Sequence, residues 1–542
     1  MAGDTSQEQG GGPSLYVRKS SGLIRSISAR SALLSNLVGM GILVNIFWVV
    51  YASALYPNAD LPSTVFIGLL LNLLVALVYW MLAAAMPRTG GDYIYVSRIV
   101  HPAVGFMTNA MFVAIMVTWA GLFPQLTAGQ AFQMMFANLA VVTGSSYYAG
   151  IASWLTTADA QFIVGAVIVT IVILLMLLPV KWVFRIIVGM FAVQAVIYVW
   201  FIATLATTSS AAFAASFSAH TGTTVANVLN AAKNAGVDWS ITLGGTLIGI
   251  VYTMLSYIGY ANSAYFAGEV KGSPVRSQGI AIPVSTVIFA LVIYVLYQQI
   301  YSVFGHDFLV AASTLATSGG PTAGSWWNYT SALPSPAYLV SFVSNNALFV
   351  AAVPFGLALT FFGFALVYFF IPIRNIFAWA FDRVIPTKFA EVDRRGVPWV
   401  AIIFYGAIAY ISLYITVYTS IFTYLAYSNF GWWLAVAIVM FSAAVFPYRK
   451  RSIFDSSPSI VRRRVGPVPL ISLLGVAGGL LSLYVSYATI LPAYTGIALN
   501  PVYVASMLLI FALAIVIYLL SHFYHRTKGI PLDMISKELP PT

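Results

Sequence analysis

The side chains that carry most protein chemistry are scarce in the apolar stretches of this chain. Its 14 Asp and Glu residues and five His fall in tails, in loops or at the ends of hydrophobic runs. There is no cysteine, so thiolate chemistry, disulfides and cysteine metal sites are excluded. Without acids, histidines or thiols at membrane depth, no nucleophile–base pair and no metal-ligand cluster can form there, and no enzyme, metal site or cofactor is expected. The remaining chemical resource is the backbone. Ser35-Asn36-Leu37-Val38-Gly39-Met40-Gly41-Ile42 puts Gly and small polar residues in an apolar run, as do Gly244-Gly245 and Ser256-Tyr257-Ile258-Gly259-Tyr260-Ala261-Asn262-Ser263. Gly inside a helix costs about 1 kcal/mol relative to Ala, so these positions need a reason. Close helix packing through small residues is one account. The other is a break in each helix that offers N–H and C=O groups to a ligand, tolerated only where protein or a cavity surrounds it.

The elements that hold these segments follow from composition. Of 542 residues, 60% are hydrophobic and 7% charged, against roughly 25% charged in soluble domains. Apolar runs reach the ~20 residues that cross a bilayer as a helix. Twelve spans are expected, at 32–56, 64–86, 103–127, 160–180, 184–207, 240–268, 279–304, 343–372, 398–417, 419–446, 467–492 and 500–522. The net charge of +11 does not point to nucleic acid, because 24 of the 25 Lys and Arg fall on one side of this alternation and only Lys233 on the other. The positive-inside rule then puts both termini in the cytoplasm of a multi-pass protein of the cell membrane, in contact with lipid. The Gly-rich first thirty residues read as a cytoplasmic arm, not a signal peptide. Two external segments, 207–238 and 305–342, are small and polar and read equally as a lid or as connectors. The second contains Trp326, Trp327 and the triplet Asn328-Tyr329-Thr330, a glycosylation acceptor pattern. The two interrupted spans, one and six, begin the halves of a five-plus-five inverted repeat, and such pairs point to a transporter site.

Four segments resemble the amino acid–polyamine–organocation (APC) superfamily of permeases, over nearly the whole chain. They are Met86-Pro87-Arg88-Thr89-Gly90-Gly91-Asp92-Tyr93-Ile94-Tyr95 after span two, Gly268-Glu269-Val270-Lys271-Gly272-Ser273-Pro274-Val275-Arg276 after span six, Asp382-Arg383-Val384-Ile385-Pro386 after span eight, and the tail from Lys528. The resemblance implies an all-α polytopic membrane protein of about twelve helices, with a leucine-transporter-like 5+5 inverted repeat and two additional C-terminal helices. It divides the chain into an arm (1–30), a first repeat (31–207), an external loop (208–239), a second repeat (240–446), a basic loop (447–466), spans eleven and twelve (467–523) and a tail (524–542). It also implies a secondary transporter that moves an amino acid by alternating access. The substrate carboxylate would meet amides at Gly39, Met40, Gly41 and Ile42, and its ammonium the carbonyls of Leu37, Leu255 and Ile258, beside Gly259. A sensor or channel on the same scaffold, or a permease for another organic amine or a nucleobase, is the alternative.

Departures from the family bear on mechanism. Met40 replaces a hydroxyl residue, and Leu255 stands where an aromatic gate is found, leaving Tyr257 and Tyr260 as gate candidates. Gln194 falls where proton-coupled members have lysine, and with Thr360 it is a candidate for coupling to Na+ or H+. The absence of buried acids disfavours a cationic substrate and proton coupling through a carboxylate. Asn36, Asn45, Asn109, Thr118, Asn262, Ser263 and Asn429 outline a polar interior, and Glu269 with Arg374 or Arg383 could latch the cytoplasmic side.

Overall fold

Long apolar runs in lipid must satisfy their own backbone, and the helix is the local way to do so. The computed structural model describes residues 22–317, 333–419, 425–492, 499–529 and 532. Trp326, Trp327 and Asn328 lie outside the described residues, as does most of the tail. Among the described residues, eleven helices are long and apolar enough to cross a membrane: Ala29–Leu55, Leu61–Ala85, Pro102–Thr143, Ala158–Met176, Val180–Ala206, Pro274–Phe304, Ala347–Phe381, Trp399–Tyr418, Ser428–Arg449, Leu470–Ala488 and Pro501–Thr527. The remaining span, six, contributes the shorter apolar helix Leu243–Ser256, because its second half is not α-helical. The chain is therefore a nearly all-helical, multi-pass membrane protein. Its only paired strands among the described residues are Arg464–Val465 and Val468–Pro469, a small antiparallel hairpin between spans ten and eleven.

Start signals sit where helix chemistry wants them. Pro occupies the first turn of Leu61–Ala85, Pro102–Leu126 and Pro501–Thr527, where the missing N–H costs nothing. Ser28, Thr157, Thr242, Asn346 and Asn500 accept N–H groups of the first turn.

Span three runs further than the expected 103–127, to Thr143. Pro124 and polar Gln125 suggest an end, but the helix passes them by widening into a π-turn over Thr127–Phe132. At 1.5 Å per residue, its 42 residues span about 63 Å, twice a bilayer core. A second π-turn, Ile280–Val284, accommodates Pro283 in span seven.

Two polar faces close the molecule. On the basic face, Ile27 forms a parallel bridge with Val270, and Thr89 an antiparallel one with Phe266. On the opposite face, the segment expected to be loop at 208–239 contains the helices Ser210–Thr221 and Val225–Asn234. Phe213 and Phe217 of the first pack edge-to-face against Phe308 in the helix His306–Thr317.

Candidate functional site

The helix of span one stops at Met40. Gly41 follows at φ +70°, residues 42–44 form a turn, and a second half-helix begins at Asn45. A break at this depth frees carbonyls, and the Asn45 amide takes two of them, from Gly41 (2.9 Å) and Ile42 (3.3 Å). Its Oδ1 accepts from the Tyr297 hydroxyl at 3.1 Å. The amides of Ile42, Leu43 and Val44 donate to no group among the described residues, although Leu43 and Val44 are buried. These are orphan donors at a half-helix N-terminus, where the helix dipole adds positive potential.

Span six breaks after Ser256. Residues Tyr257–Ala261 turn irregularly, Gly259 has φ +122°, and a 3₁₀ turn runs Asn262–Tyr265. The two breaks touch. A Cβ on Gly259 would lie 2.5 Å from the Gly39 carbonyl and 2.8 Å from the Met40 nitrogen. Asn36 staples the contact: its amide donates to the carbonyls of Tyr260 and Ala281, and its Oδ1 accepts from the Ser263 N–H at 2.9 Å. The Tyr368 hydroxyl donates to the Gly39 carbonyl at 2.7 Å and lies 3.3 Å from that of Ile258, bridging both breaks from span eight.

A cavity opens beside the second break. It is lined by Ile258, Gly259, Tyr260, Ala261 and Asn262, by Tyr79 and Tyr265, and by Trp432, Trp433 and Val436 of span ten. No acid, Lys or Arg is among these groups.

The structure brings some expected site residues to the cavity and leaves others behind it. Ile258, Gly259 and Tyr260 line it. Gly41 is packed against Phe364 and Thr360, at 2.3 and 3.0 Å from where a Cβ would be. Leu37 and Met40 are buried, and the Leu37 carbonyl already accepts the Gly41 N–H at 2.9 Å. The Leu255 carbonyl accepts the Ile258 N–H at 3.1 Å. Tyr257 turns away from the cavity and donates to the Val65 carbonyl at 2.8 Å. The Thr360 hydroxyl meets Gln194 Oε1 at 3.4 Å and the Gly356 carbonyl at 2.9 Å, so both coupling candidates sit together beside Gly41.

Sequence reasoning did not single out Trp432 and Trp433, Tyr79, Tyr265 or Tyr368. A usable signal exists for the tryptophans. Trp favours membrane rims, yet this pair lies well inside Leu425–Arg449, after a Gly431 that lets the span close on Met111.

The basic face carries three buried acids that the sequence places at helix ends and in loops. Arg374 binds Glu269 bidentately at 2.9 and 2.8 Å, and its guanidinium lies 3.9 Å from the Phe370 ring centroid. Of the two expected latch partners, Arg374 is the one that meets Glu269. Asp382 pairs with Arg98 and accepts from the Tyr93 hydroxyl. Asp92 accepts from the Tyr265 hydroxyl. All five charged side chains are at most 4% exposed. Segments that read as aqueous loops fold back under the spans, so position along the sequence did not reveal their burial.

The sequence model of a family described as amino acid permease matches residues 24–518. An uncharacterized protein, number 399, of Sulfolobus islandicus rod-shaped virus 1 is 37% identical over 79 residues, which is 15% of this chain. The match spans only 20% of that relative's length.

Proposed function

The chain belongs to the amino acid permease family, whose members transport amino acids and related organic cations, and from that premise we propose that it moves a neutral amino acid across the cell membrane by alternating access. The observation that carries the proposal is the contact between the two breaks: orphan amides of Ile42, Leu43 and Val44 on one side, carbonyls of span six on the other. A zwitterion has one charge for each. Its carboxylate would sit at the N-terminus of the second half-helix, on the amides of Ile42, Leu43 and Val44, beside the end of the first half-helix at Gly39, Met40 and Gly41, as anions do at such N-terminal ends. Its ammonium would meet the carbonyls of Leu37, Leu255 and Ile258, each of which has a second lone pair after its local bond. Phe364 covers Gly41, so its ring would swing aside as cargo enters.

The cavity wall favours a neutral cargo. It offers aromatic and aliphatic surface, and its one amide side chain, Asn262, is turned against Gly39. A second positive charge on the cargo would find no carboxylate there, at high cost in low dielectric. Tyr260 is the better placed of the two gate candidates, since it lines the cavity and Tyr257 does not. Gln194 and Thr360 are proposed to report on the first break, with Na+ or H+ as the ion that would bias it. The basic face is assigned to the cytoplasm by its charge.

A thermal-shift screen of the purified protein against amino acids, polyamines and nucleobases tests the cargo. At about 100 times its dissociation constant, a cargo should stabilise the protein by ~2.7 kcal/mol. Stabilisation by polyamines or nucleobases alone would overturn the reading. Uptake of the stabilising amino acid into liposomes, with and without sodium or proton gradients, separates transport from sensing and identifies the ion.

A further inference from the structure

We propose that Asp92 is a proton-binding site that governs opening of the cavity toward the basic face, closing it as the pH falls. The inference rests on the transporter reading for its purpose, but not for its evidence.

Asp92 begins the short helix Asp92–Ile99, between spans two and three, and is fully buried. Gly90 and Gly91 before it have φ of +113° and +46°. That turn lies flat on the segment after span six: the Gly90 N–H donates to the Tyr265 carbonyl at 2.9 Å, and a Cβ on Gly91 would come within 2.7 Å of the Tyr265 ring. The carboxyl reaches the cavity floor from beneath. Tyr265 donates to its Oδ2, and the Tyr79 hydroxyl also bonds to it. Tyr79, Tyr260 and Tyr265 form one side of the cavity wall, so the carboxyl lies one tyrosine layer from the cargo space.

Among the described residues no charged group neutralises it. The groups that face it are Tyr79 of span two, Tyr260 and Tyr265 from the break and exit of span six, and Tyr95 of its own helix. No charged group of spans three or ten, which pack against its helix, acts on it. Its Oδ1 has no hydrogen-bond partner among the described residues. The two other buried acids of this face have arginine partners; Asp92 has phenols. Burial therefore pushes its carboxyl from 3.8 up to about 6, against the pull of the Tyr265 and Tyr79 hydrogen bonds.

The sign follows from hydration. The packed form shown here holds the proton more tightly than any form in which water reaches the carboxyl. Opening the tyrosine floor hydrates Asp92 and returns it toward an ordinary carboxylate, near 4. Acidification below about 6 thus favours the closed form, by up to about tenfold per pH unit until the hydrated carboxyl also protonates. Above that range the ionised carboxylate favours opening.

The test uses the full chain and no cargo, so that its outcome is independent of the thermal-shift screen. Infrared difference spectra between pH 4 and 8 should show a neutral carboxyl band that titrates near 6 and is missing in Asp92→Asn. Because the chain has no cysteine, a single Ala261→Cys in the cavity wall reports opening. Inverted membrane vesicles expose the basic face, and a membrane-impermeant maleimide is applied there. At pH 7.5 the reporter should label about 100-fold more slowly with Asp92→Asn than without it, and at pH 5 only about tenfold more slowly. Tyr265→Phe removes a bond that favours the carboxylate, so the infrared midpoint should rise. A band that survives in Asp92→Asn, a ratio that does not change with pH, or a midpoint unmoved by Tyr265→Phe would each overturn the proposal.

Discussion

The middle of the molecule and its basic face handle charge in opposite ways. At the paired breaks, no ionised side chain is used; orphan amides, spare carbonyls and the neutral side chains of Asn36, Asn45, Tyr297 and Tyr368 do the holding. At the basic face, two pairs of full charges are buried, Glu269 with Arg374 and Asp382 with Arg98, beside Asp92, which has phenols in place of an arginine. Partial charges let a site accept and release an ion without leaving an unpaired charge in low dielectric. Paired full charges do the reverse, because parting them is costly unless water replaces each partner. Under the proposed function the middle would suit a passing cargo, and the paired charges of the basic face would hold one conformation until water replaces each partner.

The largest effect should come from breaking a pair on the basic face. Arg374→Met leaves the Glu269 carboxylate buried and alone, which should cost about 3–5 kcal/mol. Thermal unfolding in detergent should show a large fall, and adding Glu269→Gln should restore much of it. A pair that could be broken without loss would make the two regions alike.

The next effect should come from the middle. Gly41→Val should weaken cargo binding by at least about 100-fold, or ~2.8 kcal/mol. A branched residue is strained at φ +70°, and its Cβ would fall 2.3 Å from the Phe364 ring. Gly144→Val is the control, since φ is +68° there too but nothing lies within 4 Å of a Cβ. Calorimetry on both should show lost affinity only at Gly41. Equal losses would mean that backbone strain alone weakens binding, and would move the carboxylate site elsewhere.

A smaller effect is expected from Asn45→Leu, which strips partners from the Gly41 carbonyl and the Tyr297 hydroxyl, while the Ile42 carbonyl keeps the backbone N–H of residue 45. Buried groups left unpaired cost about 1–3 kcal/mol. The loss should appear in melting temperature with cargo absent, because the amide supports the break whether or not cargo is bound. A loss seen only with cargo would make Asn45 a ligand contact.

What could be read from the sequence divides along the same line. The spans, the two breaks and the charges of Glu269, Arg374 and Arg383 at helix ends follow from features local to a segment, apolar length and Gly where Leu belongs among them; that Glu269 meets Arg374 does not. The cavity does not, because it is made by elements far apart in the chain. Tyr79, Tyr265 and Trp432 meet only once spans two, six and ten have packed, and each alone reads as core. Asp92 is the sharpest case. Its position between spans suggests water, and only the fold of the Gly90-Gly91 turn against Tyr265 buries it.

The smallest effect sharpens the comparison most. Tyr368→Phe removes one hydroxyl that bridges the Gly39 and Ile258 carbonyls. Hydrogen bonds between membrane helices are worth about 0.6 kcal/mol on average, so stability should fall by less than about 1 kcal/mol. Cargo affinity should hold within about threefold, or ~0.65 kcal/mol, because the proposed cargo contacts are backbone groups that the substitution leaves in place. The exchange rate should respond more than the affinity, since this hydroxyl is a direct tie from span eight to both breaks. Parallel melting, binding and exchange measurements on the variant decide the matter. If Tyr368→Phe loses binding as completely as Gly41→Val, a side-chain donor and not the backbone holds the cargo, and the middle would lose the property that sets it apart from the basic face.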